Sequence, residues 1–245
     1  MPSRRIMIEI INWFNQLLAD FGESFYNNFI AQNRWKLITN GLLTTLEVTF
    51  FAVLIGIALG FVIAIIRSTC DRTGKMKFLN SICKIYLTVL RGTPVLVQLM
   101  IIYFVVFASS DNKVLAAVIA FGLNSAAYVA EIMRSGIMSV DIGQTEAGRS
   151  LGFSYAKTMI YFIIPQAFKN VLPALANEFI VLLKETSVSA TIGLADLTYG
   201  ANLIRSRTYE AFLPLIAVAV IYLVMVMVLS YLVSLLERRL RNSEH

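Results

Sequence analysis

The side chains that could do chemistry in this 245-residue chain are few, and the ionisable ones lie in or beside long apolar stretches. These residues are Glu47, Arg91, Glu131, Glu178, Lys184 and Glu185. A charge within a membrane-spanning segment is costly and usually faces a cavity or a partner, so each residue is a candidate for function. Their chemistry would be binding or charge pairing. Glu131 and Arg134, for example, are three residues apart on one helix face and can neutralise each other.

Catalysis by this chain is disfavoured by its composition. The only histidine is His245, so no serine–histidine or histidine–metal arrangement can form among the apolar segments. The aspartates all occupy polar segments and offer no intramembrane acid pair: Asp20, Asp71, Asp111, Asp141 and Asp196. The sequence has no phosphate-cradling Gly-Lys-Ser/Thr motif, so any ATP hydrolysis would take place in another chain. We therefore expect this chain to be no enzyme and to hold no metal or cofactor.

The composition indicates a helical membrane protein. Hydrophobic residues make up 58% of the chain and charged residues 15%, against ~25% in soluble domains. Runs without charge cover residues 48–66, 92–110, 114–130 and 211–236, and a spanning helix needs about 17 to 25 apolar residues. A fifth candidate, 168–190, carries several of the charges named above. We predict an all-α membrane protein of about five spans, because the 26-residue run at 211–236 argues against a soluble helical protein.

The basic residues predict which loops face the cytoplasm. Twelve arginines and lysines fall in the segments 67–84, 134–169 and 238–241, and three fall in the alternate connections 108–113 and 191–212. Because basic residues concentrate on the cytoplasmic side, the first group of segments and the C-terminus are predicted inside and, with five spans, the N-terminus outside. Four basic residues oppose that last placement: Arg4, Arg5, Arg34 and Lys36. The same distribution accounts for the net charge of +6 without a nucleic-acid partner.

Residues 1–40 are predicted to form an amphipathic N-terminal segment. Apolar residues recur at helical spacing over 6–21, opposite polar ones, and Trp13 lies beside that stripe. The pattern is typical of a helix lying in the membrane interface, with a helix packed on the solvent side as the alternative. We assign the membrane domain to 41–237 and a basic cytoplasmic tail to 238–245.

Small residues mark one face of the first span. Ala52, Gly56, Gly60 and Ala64 recur every four residues. Small side chains let another helix approach closely, so we predict that this face packs against a helix. Glu47, near the outer end of the same span, is an acid close to lipid and is expected to face a cavity or a partner, or else to be solvated at the interface.

A helix break is predicted at the start of the second apolar run, in the sequence Arg-Gly-Thr-Pro at 91–94. Pro94 lacks a backbone donor and disfavours a helical conformation at Thr93. Broken backbone at membrane depth is tolerated only where protein or water covers it. The break therefore indicates an element that lines a cavity.

A polar, charged segment, 134–164, separates two apolar spans and is far longer than the connection that neighbouring helices need. It contains Glu-Ala-Gly-Arg-Ser-Leu-Gly at 146–152 and ends before Pro165. Helix-forming residues, an internal Gly and a terminal Pro indicate a docking element outside the bilayer rather than a solvated loop.

Four blocks of the chain together resemble the permease subunits of polar amino acid ABC importers. They are the 146–165 loop, Arg-Gly-Thr-Pro-Val-Leu-Val-Gln-Leu at 91–99, Ala-Tyr-Val-Ala-Glu-Ile-Met-Arg-Ser-Gly-Ile at 127–137, and Asn-Glu-Phe-Ile-Val-Leu-Leu-Lys-Glu-Thr-Ser at 177–187. The blocks occur in the family's order, and the resemblance extends over about residues 40–240. It implies a type I importer fold, with about five transmembrane helices and a cytoplasmic coupling helix.

The resemblance also implies an assembly around this chain, in the plasma membrane of a bacterium. A separate ABC ATPase subunit would hold ATP and Mg and grip the 143–165 loop. An extracellular binding protein would deliver the polar amino acid and dock on the outer segments 108–113 and 191–212. A second permease chain, identical or related, would complete the path, with the small-residue face and the fourth and fifth spans contributing.

Roles for individual residues of the loop follow from the matching block. The residues that would contact the ATPase subunit are Glu146, Ala147, Gly148, Gly152 and Pro165. The resemblance assigns Glu146 to a basic partner residue and Gly152 to the turn that follows the coupling helix.

Two further sets of residues are assigned within the membrane. Groups that could meet a zwitterionic amino acid in the cavity are Glu47, Gln98 and Asn124. Arg91 and Glu131 are assigned as framework charges near the cytoplasmic side, and Pro94 is assigned as the helix break. The acidic side chain of Glu47 favours a basic or polar substrate, and the identity of the amino acid stays open.

The loop departs from the family pattern in two places. Gly148 replaces the second Ala of Glu-Ala-Ala, and Phe162 with Ile164 stand where Ile and Leu commonly precede the Pro. Gly in a helix costs ~1 kcal/mol relative to Ala, which a docked loop tolerates. Gly152 and Pro165 keep the expected spacing, so the ATPase contact is still expected.

Two other classes of protein compete with this interpretation. An ion-gradient-driven secondary transporter of amino acids usually has two related halves, whereas this chain has about five predicted spans and no internal repeat. A membrane scaffold needs no transport cavity, and both the break at Pro94 and the charged segment at 168–190 argue against it. The dependence of transport on ATP or on an ion gradient separates the first two classes, and a liganded cavity excludes the scaffold.

Overall fold

The structure, a computed structural model, describes residues 2–242, and for residues 2–6, 8, 10, 241 and 242 it describes the backbone only. The described chain is helical, in the order α1 (Pro2–Phe25), α2 (Trp35–Thr73), α3 (Lys77–Gly92), α4 (Val95–Ile101), α5 (Lys113–Ser139), α6 (Ile142–Ser150), α7 (Tyr155–Thr158), α8 (Ile164–Glu185), α9 (Leu197–Thr208) and α10 (Phe212–Asn242). Short π-helical or 3-10 segments join several of these helices, including Ile102–Val106 after α4 and Thr186–Ile192 after α8.

The number of spans agrees with the prediction of an all-α membrane protein with about five. Over the described residues, four helical stretches are long and apolar enough to cross a membrane: Trp35–Thr73, Lys113–Ser139, Tyr155–Ile192 and Phe212–Leu240. A fifth span is available if the bent pair of α3 and α4 with its extension to Val106 is counted as one. The chain is therefore a multi-pass membrane protein.

The second span is broken rather than straight. The axes of α3 and of the α4 segment meet at 108°, and the break lies at Thr93 and Pro94, which both have extended backbone conformations. Pro94 precedes the first residue of α4, where its missing N–H leaves no hydrogen bond unmade. The apolar run at 92–110 thus corresponds to α4 and its extension, with α3 supplying the rest of the span.

The small-residue face of α2 packs against α5 within the same chain. Ala52 and Ala64 are fully buried, and a β-carbon built on Gly60 would come within 2.8 Å of the Val129 Cβ atom. The expected close helix packing is therefore present. The expectation that this face also serves pairing with a second chain is wrong, because α5 already covers it.

The core has two main parts along the α2–α5 pair. The outer part gathers Leu99 and Phe121 with Leu182 of α8. The part nearer α6 gathers Met133, Ile137 and Ile163. Because α2, α5 and α8 share both parts, the segments that precede and follow α6 are anchored in one packed body.

The first and last spanning helices, α2 and α10, extend beyond the predicted membrane domain at 41–237. α2 begins at Trp35, ahead of the predicted boundary at 41. α1 is a helix whose apolar side chains are exposed, among them Trp13, Phe14, Leu17 and Phe21; the side chains of Ile6 and Ile10 lie outside the described residues. α10 runs through Asn242, so residues 238–242 of the predicted tail continue that helix, and residues 243–245 lie outside the described part.

Candidate functional site

The segment between the helical stretches Lys113–Ser139 and Tyr155–Ile192 folds into a separate short helix, α6. Its N-terminus is capped by Asp141, whose Oδ1 atom accepts a hydrogen bond from the Gly143 N–H at 2.6 Å. This side-chain cap satisfies a backbone donor that has no partner inside the helix. The polar sequence at 142–150 forms a helix here because both of its ends are satisfied.

The C-terminus of α6 is closed by Gly152. Its φ angle is +83°, a left-handed conformation that glycine adopts without steric cost. The Gly152 N–H donates to the Arg149 carbonyl at 3.0 Å, and the Phe153 N–H donates to the Gly148 carbonyl at 3.1 Å. These two bonds form a Schellman motif, which ends the helix and reverses the chain.

An aromatic pair fixes the chain after this turn. The rings of Phe153 and Phe162 meet edge to face, with centroids 5.4 Å apart. Phe162 is one of the residues at which the loop departs from the family pattern, and this contact explains it: a branched aliphatic side chain would not offer a ring edge to Phe153. Pro165 follows in the first turn of α8, where its missing N–H leaves no helical hydrogen bond unmade.

The helix α6 has one face toward the protein and one face free. Gly148 is buried and Thr145 is half-buried, whereas Glu146 and Ala147 are exposed. Large apolar side chains stand exposed near both ends of the helix, Ile142 at 68% and Leu151 at 74%. A carboxylate between two exposed apolar side chains, on a helix held outside the bundle, is a surface that a groove of another protein can receive.

The glycine at 148 has a packing role that the sequence did not reveal. A β-carbon built there would come within 2.7 Å of the Thr158 Cγ2 atom and 3.0 Å of Thr158 Oγ1. The substitution of Ala by Gly at this position does not simply loosen the helix, as the sequence suggested. It lets α6 lie directly against α7.

A further contact of α6 comes from the end of the first span. Arg72 donates from Nη1 to Thr145 Oγ1 at 2.7 Å and from Nη2 to the Ile137 carbonyl at 2.8 Å. In the sequence, Arg72 is only one of the twelve basic residues that indicate the cytoplasmic side. No local pattern could reveal its partners, because they lie 65 and 73 residues further along the chain.

Charged residues join α2 to α5 beside this contact. Arg67 pairs with Glu131, and Arg134 lies 3.2 Å from Glu131 Oε2 and 3.5 Å from Asp71 Oδ2. The predicted neutralisation of Glu131 by Arg134 is thus present, and Arg67 and Asp71 extend it across two helices. Arg91, the other predicted framework charge, lies outside this network of charged residues. Its guanidinium lies 5.5 Å from the centre of the Tyr128 ring.

Two of the three predicted substrate-path residues meet at the helix break. The Asn124 amide donates to Gln98 Oε1 at 2.9 Å and to the Leu90 carbonyl at 3.3 Å. The Gln98 amide donates to the Leu90 carbonyl at 2.8 Å and to the Thr93 carbonyl at 3.0 Å. These amides satisfy carbonyls that the break leaves without helical partners. Their contact with a substrate stays a prediction.

Glu47, the third of these residues, lies apart from them. It is exposed on α2, and among the described residues it forms no hydrogen bond or ion pair. A different acid is built into the bundle interior, where the Ser125 hydroxyl lies 3.1 Å from Glu178 Oε1. The described residues include no group of three or more metal-ligating His, Cys, Asp or Glu side chains.

The two predicted outer segments come together at the opposite end of the bundle. Lys113 Nζ donates to the Gly193 carbonyl at 3.1 Å, and the Leu197 N–H donates to Thr45 Oγ1 at 3.1 Å. Asp196 caps α9 by accepting from the Tyr199 N–H at 2.8 Å, and burial raises the pKa of this carboxyl to about 6.

The exposed side chains of this outer surface lie at the C-terminal end of α9 and just after it. The side chains of Arg205 and Arg207 are exposed in the last turn of α9. Tyr209, which follows α9, is 95% exposed. Two cations and an aromatic ring are therefore available to a partner on this side.

The described residues thus form an all-helical membrane bundle with a capped, half-exposed helix between α5 and α8 in chain order. Residues 56–242 match the sequence model of the family described as the binding-protein-dependent transport system inner membrane component, and the chain belongs to this family. The match includes α6, both of its attachments and the helix break.

Named relatives agree with this assignment. The arginine transport system permease protein ArtQ of Bacillus subtilis is 40% identical over 210 residues, which are 84% of this chain and 94% of the relative. The glutamine transport system permease protein GlnP of Escherichia coli is 37% identical over 199 residues, covering 80% of this chain and 90% of the relative. A solved amino acid ABC transporter with histidines contains a chain with 47% identity and a TM-score of 0.77, and the match covers 86% of this chain and 98% of that one.

Proposed function

We propose that this chain is the permease subunit of an ATP-driven ABC importer for polar amino acids, in the plasma membrane of a bacterium. The observation that carries the proposal is α6, a helix capped at both ends, packed on one face against the spans and exposed on the other. Relatives named for arginine and glutamine transport support the substrate class. ATP and Mg belong to a separate ATPase subunit, and this chain supplies the membrane path.

The exposed face of α6 is the docking surface for the ATPase subunit. Glu146 meets a basic residue of that partner, and Ile142 and Leu151 fill apolar parts of its groove. When the ATPase pair closes around nucleotide, α6 moves with it. Because α6 sits between α5 and α8 in the chain and packs on Thr158, its displacement moves the attached spans between inward-open and outward-open arrangements.

A second permease chain completes the path. About five spans enclose no channel by themselves, and α10 carries a long exposed apolar surface along its length, including Leu223, Val224, Met227 and Val228. With the small-residue face of α2 buried inside the chain, pairing uses α8 and α10. Identical or related partners both satisfy this arrangement.

The orientation that fits this function places α6 and the C-terminus in the cytoplasm and the N-terminus outside. The segments 108–113 and 191–212 then face the binding protein, and Arg205, Arg207 and Tyr209 are the side chains it meets first. The distribution of basic residues supports this orientation.

The deciding experiment is reconstitution of the chain in liposomes with its ATPase subunit and candidate binding protein. ATP hydrolysis and uptake are measured for each amino acid in turn. We expect hydrolysis to be stimulated by one or a few polar amino acids, with uptake that stops when ATP is withheld. Uptake that needs no ATP and collapses when the ion gradient is dissipated would instead identify a secondary transporter.

A variant pair tests the docking surface itself. Leu151→Asp places a charge on the exposed apolar anchor of α6 and should abolish association with the ATPase subunit. Tyr209→Asp places the same charge at an even more exposed side chain at the other end of the bundle and should leave that association intact. Equal association of both variants with the ATPase subunit would remove α6 as the docking site.

A further inference from the structure

Arg72, in the last turn of α2, joins three helices through one guanidinium group. Its Nη1 atom donates to Thr145 of α6 and its Nη2 atom to the carbonyl of Ile137 in α5. That carbonyl is among the last four of α5, which have no partner within the helix. A planar guanidinium can serve two acceptors in a fixed geometry, which an ammonium group cannot do in the same way.

These two hydrogen bonds are the polar contacts that hold Arg72. Among the described residues it takes part in no ion pair, although Arg67, Asp71, Glu131 and Arg134 form a charged network close by. Its role is therefore separable from that network. A substitution at Arg72 removes the link between α2, α5 and α6 and leaves the neighbouring ion pairs in place.

The two attachments of α6 differ in the forces that they transmit. The packing of Gly148 on Thr158 is a steric contact, so it resists approach of α6 to the bundle and offers little resistance to separation. The hydrogen bonds of Arg72 resist displacement in both directions. A pocket of about 560 Å³, lined by Arg72, Thr145 and Tyr155 among others, lies beside α6 and leaves it room to move.

We propose that Arg72 is a positioning residue that couples displacement of α6 to α2 and α5, so that the spans follow the ATPase subunit in both directions of the cycle. The proposal rests on the proposed function of the chain as an importer permease. Arg72 and Thr145 are half-buried, whereas Glu146 and Ala147 of the docking face are exposed, and Arg72 and Glu146 line the same pocket. Because its hydrogen bonds go to Thr145 and Ile137 and to neither Glu146 nor Ala147, we expect Arg72 to act on transport through Thr145 and to leave the affinity for the ATPase subunit unchanged.

The test compares Arg72→Gln and Thr145→Val in the complete reconstituted complex. The measured quantities are association with the ATPase subunit, the rate of ATP hydrolysis, and the number of amino acids taken up per ATP. We expect unchanged association and continued hydrolysis, with uptake per ATP lowered about tenfold, the scale of one lost hydrogen bond to a charged group. The double variant should be no worse than Arg72→Gln alone, because both changes break the same link.

Two matched variants separate this role from general damage. Lys77→Gln removes an exposed cation close by in sequence and should behave like the unmodified chain. Thr145→Ser keeps the hydroxyl acceptor and should restore most of the uptake per ATP that Thr145→Val loses. If Arg72→Gln folds poorly, the comparison of Thr145→Val with Thr145→Ser decides the matter by itself.

Three outcomes would overturn the proposal. Unchanged uptake per ATP in both Arg72→Gln and Thr145→Val would show that the link transmits nothing. Loss of the ATPase subunit in Arg72→Gln would make the residue part of the docking surface instead. Equal loss in Thr145→Val and Thr145→Ser would make the effect one of packing. Failure of the proposed function would be recognised separately, because the unmodified chain would then show no ATP-dependent uptake.

Discussion

Gly148 of α6 and Thr158 of α7 lie so close together that a β-carbon on the glycine would come within 2.7 Å of the threonine Cγ2 atom. The helix α6 is therefore held against the bundle at a position where only glycine fits. Gly148 stands where the family usually has alanine, and the β-branched side chain of Thr158 occupies the space that the alanine methyl group would take. The two residues form one packing unit, and their substitutions should not be independent.

Gly148→Ala is the first test of this unit. Alanine favours the helix by ~1 kcal/mol, but forcing a methyl group into the contact costs about 1–3 kcal/mol, so we expect a net loss of stability. The thermal unfolding midpoint in detergent measures it. Thr158→Ala should restore or raise the midpoint when it is combined with Gly148→Ala. A single variant Gly148→Ala that is more stable than the unmodified chain would show that α6 shifts freely to make room.

Gly152 is constrained by its backbone rather than by its neighbours. A β-carbon there would meet nothing within 4 Å, whereas its φ angle of +83° is unfavourable for other residues. Gly152→Ala should therefore cost about 1–2 kcal/mol, and Gly152→Asn less, because asparagine tolerates this conformation better. Association with the ATPase subunit should fall in the order Gly, Asn, Ala. The reverse order of Asn and Ala would mean that side-chain size matters more than backbone strain.

Gly152→Asp tests the same turn through charge. We expect the chain to insert in the membrane normally and to lose coupled transport, since the new carboxylate lies next to the exposed side chain of Leu151 in the proposed docking surface. Insertion is checked by membrane fractionation and coupling by uptake per ATP. Gly152→Asn has nearly the same shape without the charge and serves as the control. Full transport by Gly152→Asp would contradict the docking role of this loop.

The amides of Gln98 and Asn124 should stabilise the broken span. Gln98→Leu removes the donor to the Thr93 carbonyl, one of two donors to the Leu90 carbonyl, and the acceptor of the Asn124 amide. Within a span, lipid offers no replacement partner, and an unsatisfied polar group costs about 1–3 kcal/mol. The unfolding midpoint should fall accordingly. Gln166→Leu removes a similar bond, from Gln166 to the Phe162 carbonyl, at an exposed site where water replaces it, and should have little effect. Equal effects of the two substitutions would refute the capping role of Gln98.

These cases show which features the sequence could predict and which it could not. The spans and the break at Pro94 depend on local composition and on the geometry of proline, so a single sequence contains the information. The partners of Gly148 and Arg72 depend on how distant helices meet, and no periodicity encodes that. The same limit explains Gln98 and Asn124: their polarity within an apolar run was visible, but the carbonyls that they satisfy became apparent only once α3, α4 and α5 were placed together.

The small-residue face of α2 illustrates a different limit. Its spacing predicts close packing, and the close packing is present. The spacing does not specify whether the partner helix comes from the same chain or from another, because both make the same contacts. The surface for a second chain is therefore better sought on α10, where large apolar side chains remain exposed.

Glu47 is the predicted determinant of substrate charge. It is exposed on α2 and its carboxylate is unpaired within the described residues, and we predict that it meets a cationic substrate. Glu47→Gln should lower uptake of basic amino acids about tenfold, the scale of one lost charge-assisted interaction, and affect neutral polar ones less. Uptake competition across the amino acids measures this. Asp20→Asn, at an exposed carboxylate on α1, is the control, and unchanged uptake of every amino acid by Glu47→Gln would refute the preference.

Asp196 should make the stability of the outer region depend on pH. Its carboxyl is buried, which raises its pKa from the ordinary 3.8 to about 6, and the N–H groups of Tyr199 and Thr198 offset only part of that effect. Between these two values the folded state binds a proton that the unfolded state has released. The contribution to stability is thus fully present below about pH 4 and is lost as the pH rises to about 6.

Asp196→Asn isolates this contribution, because asparagine can still cap α9 but does not titrate. The unfolding midpoint in detergent is measured from pH 4 to 8 for the unmodified chain and the variant. The difference in stability between them should change by on the order of 3 kcal/mol between pH 4 and 6 and stay constant above, since one pKa unit corresponds to about 1.4 kcal/mol. Asp111→Asn, at an exposed aspartate in the neighbouring outer segment, should show no such change. If the pH profile of Asp196→Asn runs parallel to that of the unmodified chain, the buried carboxyl is not the titrating group.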